Sequence, residues 1–271
     1  LEDIQEVNHL LFFERGASMP ETNAVRTTCL TILNTKHERF VGDATCITLL
    51  TTETPPNPHR PDPRHVQRPR NADAFQHAVE ILKKYQIWNQ VPQYVQEYLK
   101  KGDPNYGPLR TEEVRGKPYY WFTVKDPEDM LEAAKKKAED IGINVKIVVS
   151  SLNDIVTRPV AETLAFVAQE IDFSGNPCKP PCALIFGREL LVAVGKATGL
   201  GGRNQEFVLW TTPMIAGSKN IVIASADSDG TDGPTEMAGG IVDGYTMERI
   251  REAGVDLFSE LDDHNSYEVL K

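Results

Sequence analysis

The sequence predicts an α/β protein: two domains built on mainly parallel sheets flanked by helices, with a ligand cleft between them. Three observations carry this. From residue 119 onward, short apolar and β-branched runs alternate with helix-length stretches, the rhythm of parallel strands joined by crossover helices. A proline-containing link, Gly175 to Pro181, interrupts that rhythm and sets the expected boundary between residues 1–176 and 177–271. Two turns rich in glycine and charge each follow an expected strand, where open α/β sheets hold their ligands.

The elements follow in order. Ile4, Val7, Leu10 and Leu11 recur at helical spacing, so residues 1–15 read as an amphipathic helix ended by Gly16. A second helix is expected from Pro20 through Leu33, a stretch with no internal Gly or Pro after its start. Thr45 to Leu50 is short, apolar and β-branched, which suits a buried strand. Between Thr54 and Arg70 six prolines forbid helix and central strand. That loop also holds Arg60, Arg64, Arg68 and Arg70, and is either a solvated surface loop or one that folds over an anion.

Helices are expected at 72–85 and 92–101, followed by turns over 102–116. Then come a strand at 119–124, a Lys- and Glu-rich helix at 127–141, a strand at 145–150 and a helix at 159–171. Strands at 183–186 and 190–194, a helix from Asn204, a strand at 221–226 and a helix near 245–253 complete the reading.

Composition narrows the function. The chain of 271 residues carries 29 Lys+Arg against 39 Asp+Glu, a formal net charge of −10, which repels a phosphate backbone and makes nucleic acid an unexpected partner. No apolar run approaches the roughly 20 residues that span a bilayer, and Leu1-Glu2-Asp3 is unlike a signal peptide, so a soluble, cytoplasmic protein without a membrane partner is expected. Cys178 and Cys182, three residues apart with no second Cys/His pair nearby, do not suggest zinc; reduced thiols are expected at all four cysteines.

The first turn is Gly199-Leu200-Gly201-Gly202-Arg203-Asn204-Gln205-Glu206. Its glycines allow close backbone approach, a helix from Asn204 would aim its positive end at an anion, and Arg203 is suited to phosphate or carboxylate. The alternative is a tight strand-to-helix turn in which Arg203 pairs with a neighbouring carboxylate. Neither a Walker loop nor a dinucleotide fingerprint is present, since no Gly-Lys-Ser/Thr occurs and Asn204 stands where a glycine is required.

The second turn, Asp227 to Glu236, carries Asp229 and Asp232 among Gly230, Thr231 and Gly233. Asp232 and Ala238 break the EF-hand pattern. Clustered carboxylates after a strand suit a cation carrying substrate phosphates, or a base for a hydroxyl; an Asx-rich turn is the competing reading. Together the two turns fit phosphoryl transfer better than hydride transfer.

Gly201 to Glu206 and Asp227 to Gly239 resemble the paired C-terminal motifs of the class II glycerate kinases, the MOFRL family, and Asn23-Ala24-Val25-Arg26, Pro180-Pro181-Cys182 and Asn265-Ser266-Tyr267 fit the same pattern. The resemblance implies ATP-dependent phosphorylation of D-glycerate to 2-phosphoglycerate by in-line transfer with Mg2+, with a homodimer left open. It implies Arg203, Asp229 and Asp232 as catalytic residues, the two aspartates also as metal ligands. Asn23, Arg26, Asn204 and Glu206 would bind substrate, and Gly201, Gly202, Gly230, Thr231 and Gly233 the nucleotide.

Relatives also bear the label hydroxypyruvate reductase, which is one rival; a non-catalytic anion-binding homologue is the other. Departures include Thr27-Thr28 where relatives have Lys and His, the proline-rich loop in place of a Ser-Gly-Pro-Thr turn, and Arg188 in place of the second glycine of Gly-Gly-Glu. Family members are longer at both ends, so the chain is expected to be a partial representative with little kinase activity by itself.

Overall fold

The structure is a computed structural model describing residues 2–30, 43–51, 74–107, 118–152 and 155–271. The proline- and arginine-rich loop, the end of the second expected helix and most of the 102–116 turn region lie outside the described residues. Contacts divide the chain into two compact units, Leu1–Pro127 and Glu128–Lys271.

In the first unit α1, Glu2–His9, runs into a π-helical turn at Leu10–Glu14. Helix α2, Met19–Cys29, starts in a capping box in which the Ser18 hydroxyl accepts the Glu21 amide hydrogen and Glu21 accepts from Ser18. Helices α3, Ala74–Lys84, and α4, Gln93–Lys101, complete the helical part, the latter ended by Gly102 at φ 59°. Val7, Leu11, Val25, Leu82, Ile87 and Leu99 form its core.

Strand β1, Cys46–Thr51, pairs in parallel with β2, Tyr119–Lys125. The expected burial of β1 is corrected: Ile47 and Leu49 are 62% and 68% exposed. Alternate residues of a strand face opposite sides, and the described residues leave the side bearing Ile47 and Leu49 open.

The second unit contains α5, Pro127–Asp140, less its first residue, then β3, Asn144–Val149, α6, Thr157–Ser174, and β4, Cys182–Phe186, which pairs in parallel with β3. Helix α7, Arg203–Ile215, is followed by β5, Val222–Ala226, and β6, Gly239–Asp243. Helices α8, Thr246–Glu252, α9, Leu257–Asp262, and α10, Ser266–Leu270, close the chain. The architecture is α/β with parallel pairing, as expected, but β5 and β6 are antiparallel. The turn 227–238 that joins them holds no helix, whereas parallel pairs are usually joined by a helical crossover.

Strand β6 was not expected, because Gly239-Gly240 depresses strand propensity. The strand expected at 190–194 reduces to one parallel bridge, Val156 to Leu191. The contact division falls upstream of the expected 176/177 boundary because α6 packs on α7: Ala161 and Ala165 are fully buried against Leu209, Trp210, Val208 and Ile215. Alanines there let the two helices approach closely. Helix α7 is buried on most sides, which fixes where its N-terminus, the first motif, points. No described helix is long and apolar enough to cross a membrane.

Candidate functional site

The two motifs meet at the first turn of α7. Its N-cap, Gly202, has no side chain to offer, so its amides are capped from the acidic turn instead. Asp232 Oδ1 accepts the Asn204 amide hydrogen at 3.2 Å and Oδ2 that of Gln205 at 2.8 Å. The Asn204 side chain donates to the same Oδ1 at 3.1 Å and accepts from Ser225 Oγ of β5 at 2.6 Å. Gln205 Nε2 donates to Thr235 Oγ1 at 2.9 Å, which locks the far side of the turn.

Arg203 closes the near side. One guanidinium nitrogen lies 2.6 Å from Asp227 Oδ2, and another 2.5 Å from Glu189 Oε1 just beyond β4. Burial opposes the Arg203 charge, but the Asp227 hydrogen bond and the charges of Glu189, Asp227 and Asp232 outweigh it, so its pKa is raised and it stays cationic.

A second segment, Asp263 to Tyr267, runs along the glycines. Thr198 N donates to Asp263 Oδ1, Gly199 N to the Asp263 carbonyl, Leu200 N to Asn265 Oδ1 and Gly202 N to Ser266 Oγ, at 3.0, 3.0, 3.0 and 3.3 Å. The return bond runs from Tyr267 N to the Leu200 carbonyl at 2.9 Å. The glycines are needed for this proximity: a Cβ on Gly201 would lie 2.1 Å from Ser266 Oγ, and one on Gly202 2.3 Å from Asp232 Cγ. One helical turn on, Glu206 is buried and its Oε1 lies 2.6 Å from His264 Nδ1. Burial raises the Glu206 pKa against the lowering influence of His264.

Asp232 has no exposed surface and both its oxygens accept amide hydrogens from the first turn of α7. The Gly202 amide donates to Ser266, and Gly201 and Gly202 lie against the chain's own Ser266 and Asp232 side chains. Asn204 and Glu206, expected on substrate, are turned to Asp232, Ser225 and His264. Arg203 pairs with two carboxylates, Glu189 and Asp227.

Asp229, Gly230, Thr231 and Gly233 are exposed, with Asp229 Oδ1 accepting only the Thr231 amide hydrogen among the bonds described, at 3.2 Å. Within the first unit Arg26 donates to Asn23 Oδ1 at 3.2 Å, from positions three apart on α2. The buried Arg26 Nε has no hydrogen-bond partner among the described residues.

Sequence reasoning missed Asp227, Glu189, Asp263 and His264 as site residues. Glu189 and Asp227 each follow a strand at its carboxyl end, a usable signal, whereas nothing local marks Asp263 or His264.

No group of three or more His, Cys, Asp or Glu able to hold a metal occurs among the described residues. The exposed Asp229 carboxylate fits magnesium delivered with phosphates, since that ion retains several waters and takes one or two protein carboxylates.

Residues 182–271 match the MOFRL family. Over its whole length the chain is 31% identical to a protein from Pyrococcus horikoshii named glycerate 2-kinase and 30% identical to one from Thermotoga maritima named D-glycerate 2-kinase. It covers 60% and 61% of those proteins, so it spans about three fifths of the length of the relatives it matches. Relatives from Agrobacterium vitis carry a hydroxypyruvate reductase label. The crystal structure of glycerate kinase from Thermotoga maritima superposes with a TM-score of 0.72 at 30% identity, covering 99% of this chain and 61% of that one.

Proposed function

We propose that this chain carries the chemistry of a glycerate 2-kinase, transferring the terminal phosphoryl group of ATP in line to the 2-hydroxyl of D-glycerate. The observation that carries the reading is the similarity to glycerate 2-kinases along its entire length, at 31% and 30% identity. The convergence of a guanidinium-bearing turn and an acidic turn at one helix start supports it chemically.

Phosphoryl transfer depends on positioning and on compensating charge at phosphate oxygens. Arg203 is the fixed cation, held in orientation by Asp227 and Glu189 and partly exposed toward solvent. Asp232, Asn204 and Gln205 hold the backbone beneath it and touch no reactant in this scheme. Of the two aspartates expected as cation ligand or proton acceptor, Asp229 is the exposed one, and those roles are assigned to it here. Gly230, Thr231 and Gly233 present exposed backbone to the nucleotide phosphates. Magnesium, when bound with the nucleotide, would neutralise part of the phosphate charge. Asn23 and Arg26 are assigned to the glycerate carboxylate, supported by the resemblance and by an Arg26 Nε without a hydrogen-bond partner among the described residues.

A coupled assay of the full polypeptide with ATP, magnesium and D-glycerate tests the reading. Glycerate-dependent ADP release, with 2-phosphoglycerate identified by phosphorus NMR, is expected. NAD(P)H consumption with hydroxypyruvate and no ATP turnover would overturn it in favour of a reductase. Glycerate binding in calorimetry without turnover would overturn it in favour of a non-catalytic homologue.

A further inference from the structure

Of the four cysteines, two are brought side by side in the second unit. Cys178 and Cys182 flank Lys179-Pro180-Pro181 ahead of β4. The Cys182 thiol donates to the Cys178 carbonyl oxygen at 3.5 Å, so it lies against the backbone of the other cysteine. Cys178 is 3% exposed, whereas Cys182 is half-buried. The turn between them is already fastened to β3: Asn144 N donates to the Pro181 carbonyl at 3.2 Å and Asn144 Nδ2 to that of Lys179 at 3.5 Å. In the pairing of β3 with β4, Asn144 stands opposite Cys182.

We propose that Cys178 and Cys182 are a redox modification site, a dithiol that small-molecule disulfides such as oxidised glutathione convert to an intramolecular disulfide. Cys182, the more accessible thiol, attacks as its thiolate; the S–S bond of the small molecule breaks and one small thiolate leaves. Cys178 then attacks the Cys182 sulfur, the bond between the two cysteines forms and the second small thiolate leaves. Two cysteine thiols lose two electrons, the small disulfide gains them, and the two protons end on the two small thiols.

Burial and the neighbouring thiol hold Cys182 above the usual thiol range, so its attack is slow and the pair rests as the dithiol until oxidant accumulates. Their exposures differ enough to give an order of reaction: Cys182 accepts the incoming disulfide and Cys178 resolves it.

The test uses the native full chain, exposed to oxidised glutathione, quenched with an alkylating agent and mapped by peptide mass spectrometry. A peptide holding both cysteines that has lost two hydrogens, takes up no alkylating agent and is restored by dithiothreitol is expected. Cys178→Ser should stop at a glutathione adduct on Cys182, and Cys182→Ser should leave Cys178 unmodified. Alkylation of both thiols in the exposed wild-type protein overturns the proposal. So does a glutathione adduct that persists on the wild type, or linkage of either cysteine to Cys29 or Cys46. None of these outcomes bears on glycerate turnover, so the two readings fail separately.

Discussion

Asp232 accepts the Gln205 amide hydrogen at 2.8 Å, so the acidic motif ends as the N-terminal cap of the helix that the glycine motif begins. The helix dipole favours a carboxylate at that position.

Asp232→Ala should lower the free energy of unfolding in urea by about 2–4 kcal/mol, since it removes a cap and leaves buried amide donors unsatisfied. Asp232→Asn should cost less and leave the magnesium dependence of turnover unchanged. A marked rise in the magnesium needed for half-maximal rate would return Asp232 to a cation-binding role.

Gly202→Ala places a methyl group 2.3 Å from Asp232 Cγ and pushes the cap off the helix. A loss on the order of 1–3 kcal/mol is expected from such overpacking. Combined with Asp232→Ala, the loss should be less than additive in a double-mutant cycle, because both changes remove the same contact.

Arg203→Ala should reduce kcat/KM by on the order of a hundredfold or more, the scale of a lost charged contact to the transition state. An effect of tenfold or less would make the guanidinium a structural bridge between Asp227 and Glu189.

His264 holds Glu206 at 2.6 Å with its own backbone at φ 55°, a conformation asparagine tolerates. His264→Asn should therefore isolate the loss of that contact and destabilise the protein by about 1–3 kcal/mol, since the buried Glu206 side chain loses a hydrogen-bond partner. Glu206→Gln, which retains a hydrogen-bonding oxygen without the charge, should cost under about 1.5 kcal/mol. Equal costs for the two, measured by urea denaturation, would show that charge pairing is not what matters there.

Glu21 gives a pH dependence. Burial alone would raise its pKa, but Lys84 Nζ at 2.6 Å, the Tyr85 hydroxyl at 2.7 Å and Ser18 hold it down to about 2 from an ordinary 4.5. A depressed carboxylate stabilises the fold above its unfolded pKa and loses that contribution as pH falls through the folded one. The stability difference between the wild type and Glu21→Gln should be full above pH 4.5 and vanish as pH falls toward about 2. A difference that is flat across that window in paired urea titrations would contradict the assigned contacts.

The rhythm of helices and strands was legible because hydrophobic periodicity is local: α1, α4, α5 and α6 lie close to where spacing, prolines and glycines put them. Short strands were harder, since their pairing depends on distant partners. Residues 190–194 have the composition of a strand but make one bridge, while Gly239–Asp243 lacks that composition and pairs fully with β5.

The sequence by itself determined which residues are scarce and chemically special: the glycines and guanidinium of one turn, the carboxylates of the other. Tertiary structure decided which of them remain open to a ligand. Gln205 meets Asp232 from 27 positions away and Gly202 meets Ser266 from 64, and those encounters use up donors and acceptors that composition alone leaves free. The physical reason is that a buried amide must find an acceptor, and in a folded chain the nearest one is set by packing rather than by order along the polymer.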